Sequence, residues 1–164
     1  MGTPTLAGFS SFVYNQMGVP TSALPTGSIA LNYAFSTALQ IVYTPLSLFS
    51  GPSVTPPGQV ISLYELAVYN LAGSNLINFT QDAIDAPIYK NNMPYFEYYR
   101  DKWNLDGPIS GMVSSSSDES TSVGLEVVEQ LKHLTLSDLQ LTKDPWGRQY
   151  LNIMSRTGYL VGSS

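Results

Sequence analysis

The chain has 164 residues, of which 43% are hydrophobic and only 12% charged, with a net charge of −5, a pI near 4.5 and no cysteine. This length suits one domain, and the acidic balance argues against a protein that grips nucleic acid through a basic face. The missing cysteines exclude a disulfide framework, a zinc–thiolate site and a cysteine nucleophile.

The charge deficit is concentrated at the start, where no Asp, Glu, Lys, Arg or His precedes Glu65. A domain that stands alone in water needs charge on its surface, so this stretch points to area covered by neighbouring chains. A membrane is the other explanation, but Ile29 to Tyr43 is interrupted by Asn32, Ser36, Thr37 and Gln40. It is also shorter than the roughly 20 apolar residues a span needs. The beginning of the chain lacks the basic region of a signal peptide, so a cytoplasmic, self-assembling protein is expected.

Residues 1–27 are rich in Gly, Pro, Ser and Thr and read as an ordered N-terminal arm packed on the body. Within it, Phe9 to Gly18 suits one or two helical turns with Phe9, Phe12 and Val13 inward, before Pro20 and Pro25 break regular structure. Ser28 reads as the N-cap of a first long helix running to about Val42 and ended by Pro45. That helix is apolar nearly all round, which predicts burial on every side. A proline-rich connector, SGPSVTPPG, leads to a second long helix over about Val60 to Phe79. Its inner face runs through Leu63, Leu66, Ala67, Asn70, Leu71, Ser74 and Ile77, with Gly73 and Ser74 small enough for a close helix crossing.

From Gln81 to Met93 the chain turns polar and irregular. Asp82 and Asp85 fall here, and two solvated loop acids are a better reading than a metal or acid–base pair. Pro94 opens a short third helix, PYFEYYRDKW, whose aromatics suit packing better than base stacking because Glu97, Asp101 and Asp106 offset Arg100 and Lys102. Residues 107–128 place a serine run between alternating apolar stretches around Met112–Val113 and Val123–Val127. This predicts a projecting β-hairpin or extended arm with an acidic tip at Asp118 and Glu119, a disordered loop being the alternative. Glu126 to Leu136 is ambiguous, and His133, the only histidine, has no partner pattern around it. Ser137 reads as the cap of a short helix, DLQLTK.

The last helix opens at Asp144-Pro145, with Asp144 as N-cap and Pro145 at the first helical position, where its missing amide costs nothing. Trp146, Tyr150, Ile153 and Met154 then share one apolar face, with Arg148, Asn152, Ser155 and Arg156 opposite. Gly147 is a poor helix former, and its use is to let another backbone come close beside Trp146. The pattern suits either an ordinary amphipathic helix ending by Gly158 or an interface helix. After Gly158, YLVGSS is a short apolar tail with a polar end. There is no phosphate loop, no GxSxG and no constellation of catalytic groups, so no enzyme, metal or cofactor is expected. The residues alone therefore predict a small, acidic, mainly α subunit of an assembly.

Four stretches resemble the head-to-tail adaptor (connector or head-completion) proteins of tailed bacteriophages: FVYNQMGVPTSALP, LAVYNLAGSNLINF, SGMVSSSSDESTSVGLEV and LTLSDLQLTKDPWGRQYLNIMSR. The chain departs from that pattern in having Lys143-Asp144 before Pro145, where threonine is expected directly before the proline. The resemblance implies a single adaptor domain over 1–164, with a helical core over 28–106, the projecting arm over 107–128, and C-terminal helices and tail over 129–164. It implies a virion neck protein: a ring sharing the twelve-fold symmetry of the portal, docked on the portal protein, extending the channel for double-stranded DNA and offering a platform to tail or nozzle proteins. A tail terminator or other neck subunit is the nearest alternative, and a small phage enzyme or lysis accessory a more distant one. On this reading the interface residues are Trp146, Tyr150, Ile153 and Arg148 of the last helix, Asp118 and Glu119 at the arm's tip, and Tyr159 and Leu160 of the tail.

Overall fold

The structure, a computed structural model, describes residues 3–42, 62–107, 117–118, 121–122 and 136–156. They form six helices: α1 (Leu6–Asn15), α2 (Ile29–Ile41), α3 (Leu63–Phe79), α4 (Tyr95–Lys102), α5 (Leu136–Leu141) and α6 (Pro145–Arg156). The class is mainly α, and the helices make one bundle around α3. Two strands of two residues, β1 (Ser117–Asp118) and β2 (Thr121–Ser122), pair antiparallel, with Ser117 opposite Ser122 and Asp118 opposite Thr121. Strands usually run 3–10 residues, so this pair alone does not make an arm. The remainder of the expected arm over 107–128 lies outside the described residues, apart from Gly107.

The central helix α3 starts where its sequence dictates. Ser62 accepts a hydrogen bond from the Glu65 amide (3.1 Å), and Glu65 Oε2 accepts one from the Ser62 amide (3.0 Å), a reciprocal capping box. From there α3 is buried on every side, from Tyr64 through Val68, Leu71 and Leu76 to Ile77. α2, apolar nearly all round, is covered on one face only by the described residues of its own chain. α2, capped by Ser28, buries Leu31, Ala34, Phe35 and Ala38 against α3. Its other face stays in solvent, with Ile29 86%, Tyr33 73% and Ile41 58% exposed. A bundle this small has enough elements to enclose one helix, and α3, lying between α2 and α6, takes that place.

Residues 3–27 pack against the rest of the chain. α1 is a ten-residue helix capped by Thr5, and it seals the core with Phe9 and Val13 fully buried. Phe9 stacks on Phe35 with ring centroids 5.9 Å apart, and Tyr69 of α3 lies against Phe9, Phe12 and Phe35. The Tyr69 hydroxyl accepts from the Thr5 amide at 3.2 Å, which ties the start of α1 to α3. Val19 and Leu24 are also buried, and Tyr14 donates to the Leu24 carbonyl, so the Pro-containing turn after α1 is held down as well.

Beyond α3 the chain turns sharply at Asn91 and Asn92, both left-handed (φ 51° and 60°), with Lys90 and Met93 bridged across them. Asparagine tolerates that conformation better than most residues. α4 is stapled back onto α3 by two charges. Asp82 accepts from the Phe96 and Glu97 amides (3.1 and 2.9 Å) and so caps α4 from a distance. Arg100 donates to the Ile77 and Thr80 carbonyls at the end of α3 and lies 3.7 Å from Asp82. Asp82 is therefore not the solvated acid expected from the sequence, because its side chain is 7% exposed and fills the open amides of a helix start. Asp85 is exposed, as expected.

Candidate functional site

The last helix begins at a buried carboxylate. Asp144 is fully buried, and its Oδ1 accepts from the Trp146 and Gly147 amides (3.0 and 2.7 Å), the N-cap that the Asp-Pro pair predicts. Its Oδ2 accepts from the Ser74 hydroxyl (2.7 Å) and the Asn78 amide (3.3 Å) of α3. One side chain thus caps α6 and pins it to α3. Burial pushes the Asp144 carboxyl above its usual range, and the four hydrogen bonds recover only part of that shift. α5 approaches next to this joint. A Cβ on Gly147 would strike the Leu141 carbonyl oxygen and sit 2.8 Å from the Leu141 Cα. The neighbouring backbone expected beside Trp146 is therefore that of Leu141 in the same chain.

The anchors assigned to α6 point inward. Tyr150 and Ile153 are 8% and 5% exposed and belong to the chain's own core. Burial also raises the Tyr150 hydroxyl's pKa, with the Asp138 charge adding to the effect. Trp146 is half-buried and meets Phe12 of α1 edge-on, with centroids 5.5 Å apart. In a single copy these three residues pack on the chain's own helices, as an amphipathic helix turns its apolar stripe to the nearest core. Arg148 is exposed on the opposite face. The side chain of Asp118 and all of Glu119, Tyr159 and Leu160 lie outside the described residues, as does His133. Ser137 lies inside α5, which starts one residue earlier, so it is not the cap of that helix.

An open apolar surface runs along α2 and α3. α2, the C-terminal half of α3 and α5 border an open groove of about 950 Å3. That volume is near the top of the roughly 300–1,000 Å3 common for ligand clefts. Ile29, Tyr33 and Ile41 form one wall, Leu71 and Phe79 come from α3, and Leu141 and Tyr150 close the far side. Phe79 is 76% exposed, and Ile84 and Ile88 of the following loop are also open to solvent, which extends the apolar band beyond the groove. A few polar groups punctuate it. Asn75 Nδ2 is buried without a hydrogen-bond partner, and a buried amide left unpaired is uncommon in a finished interior. Sequence reading missed this groove because four separated helices, α2, α3, α5 and α6, line it; its only signal was the charge-free run before Glu65.

The aromatics around α4 form a cluster of their own. Tyr89, Tyr95, Tyr99 and Trp103 lie with neighbouring centroids 4.8–6.0 Å apart, and Lys90 stands over Tyr89 and Tyr98. Burial and the neighbouring Tyr89 push the Tyr99 hydroxyl's pKa up to about 12. Stacking among themselves and against the lysines, these rings serve the packing role expected of them.

Among the described residues no three His, Cys, Asp or Glu lie together as a metal site would require, and no helix is long and apolar enough to cross a membrane. Comparison of the chain with protein-family models, with curated proteins and with solved structures finds no match.

Proposed function

We propose that this chain is a structural subunit of a ring, a head-to-tail adaptor of tailed bacteriophages, and not an enzyme. In this reading copies of the chain assemble beneath a portal in the virion neck, with the portal's twelve-fold symmetry. They lengthen the DNA channel and give tail proteins a platform. The observation that carries the proposal is the apolar band of Ile29, Tyr33, Ile41 and Phe79, which the described residues of one copy leave exposed. Exposed apolar patches of this kind mark interaction surfaces on soluble proteins. A ring joins one face of a subunit to a different face of the next, so the partner face need not resemble the groove.

The resemblance in four stretches of sequence supplies the particular assembly. The acidic balance suits a channel wall that lets DNA pass without holding it. Residues 107–128 are the projecting arm of this proposal, with Asp118 and Glu119 at its tip. Arg148, Tyr159 and Leu160 remain as interface residues. Trp146, Tyr150 and Ile153 support the interface from within by holding α6 in place. Electron microscopy of the purified chain mixed with a phage portal tests the proposal. It predicts an extra ring stacked coaxially on the portal; bare portals beside dispersed single copies overturn it.

A further inference from the structure

We propose that the groove beside α2 receives residues 157–164 of an adjacent copy, so that each subunit gives a tail and takes one. The inference rests on the ring reading and names the contact that would close it.

The groove defines its occupant by chemistry. Its walls are apolar at Ile29, Tyr33, Ile41 and Phe79, and Asp138 is the one charged residue on its border among the described residues. A charged segment would lose its hydration there without finding a counter-ion. A peptide with two or three apolar side chains would bury them, and its backbone would meet the amide side chain of Asn75 on the α3 wall. Asn75, whose Nδ2 has no partner, is the donor on this wall left for a peptide carbonyl. The segment TGYLVGSS after Arg156 has that character, with Tyr159, Leu160 and Val161 together and no charged side chain.

The ring reading favours an adjacent copy over the same one. α6 contributes Tyr150 to the groove and then continues six residues to Arg156, about 9 Å further at the helical rise. Eight extended residues reach up to about 26–29 Å, enough to cross to a neighbour. Giving at one face and receiving at another is the heterologous contact that closes a ring.

Because the chain has no cysteine, paired cysteines report this contact cleanly. Thr37 borders the groove, so the full-length Thr37→Cys/Leu160→Cys variant is oxidised and separated on a non-reducing gel. A ladder of disulfide-linked dimers, trimers and higher species is expected. The Gln16→Cys/Leu160→Cys control, with one cysteine at the exposed end of α1 and away from the groove, should give at least tenfold less ladder. An internally bridged monomer overturns the inference by placing the tail in its own groove, and so does a ladder equal to the control's or no bridging at all. Electron microscopy of the cysteine-free parent separates the two readings. Rings on portal without the specific ladder sink the tail contact alone, whereas absence of any rings sinks the adaptor reading with it.

Discussion

Replacing Asp144 with Ala should cost about 2–3 kcal/mol. The structure divides that sum. The side chain caps α6 through two amides, and loss of an N-cap costs about 1 kcal/mol. Ser74, fully buried, donates its hydroxyl to Asp144. Stranding that group costs about 1–3 kcal/mol. Asn78 adds less, because its amide still reaches the Ser74 carbonyl at 2.9 Å. Against these losses stands the relief of no longer burying a charge, which keeps the net below the sum of the largest values. In urea, where such domains unfold with slopes of about 1–3 kcal/mol per molar, the midpoint should fall by roughly 1 M or more. Asp144→Asn keeps an oxygen for the cap and should lose much less at neutral pH. The two variants also give the pH dependence a sign. Because burial raises the folded-state pKa of Asp144, its contribution is fully present below the ordinary carboxylate range and is lost as pH rises through the raised value. The stability of the parent relative to Asp144→Asn should therefore fall as pH rises across that window. A difference that stays flat with pH, or an Ala variant as stable as the parent, would refute the role of Asp144 as the joint between α3 and α6.

The remaining expectations follow from single contacts. Gly147→Ala should gain about 1 kcal/mol in helix propensity. It should lose more than that by driving the Leu141 backbone away, for a net destabilisation of about 1–2 kcal/mol in thermal or urea unfolding. Trp146→Ala should lower stability by about 2 kcal/mol through its contact with Phe12, with helical circular dichroism retained. Glu65→Ala removes half of the α3 capping box and should cost about 0.5–1.5 kcal/mol. Ile29→Asp lies at an 86% exposed position and should change stability by less than about 0.5 kcal/mol, yet abolish association in sedimentation velocity.

How much the sequence revealed depended on how local each feature was. Ser28 and Asp144 declared their helices because capping is settled within three or four residues. The apolar faces of α1 and α6 were legible for the same reason, since Phe9, Val13, Tyr150 and Ile153 fall at helical spacing. What periodicity does not tell is which apolar face meets which. α2 and α3 both read as greasy, and only the packing decides that α3 sits at the centre while Ile29 and Tyr33 face water. Asp82 was misread because the amides it caps lie fourteen and fifteen residues away, at Phe96 and Glu97. The groove was illegible for a similar reason, since its walls come from residues as far apart as Ile29 and Tyr150.

The account turns on whether copies of the chain hide the face that one copy leaves wet. Hydroxyl-radical footprinting of Ile29, Tyr33 and Phe79, read residue by residue in dilute single subunits and in the purified ring on portal, measures this directly. The account predicts that oxidation of all three drops several-fold in the ring, while Ile153, already covered, stays low in both. Equal oxidation of Ile29, Tyr33 and Phe79 in the two states would contradict it.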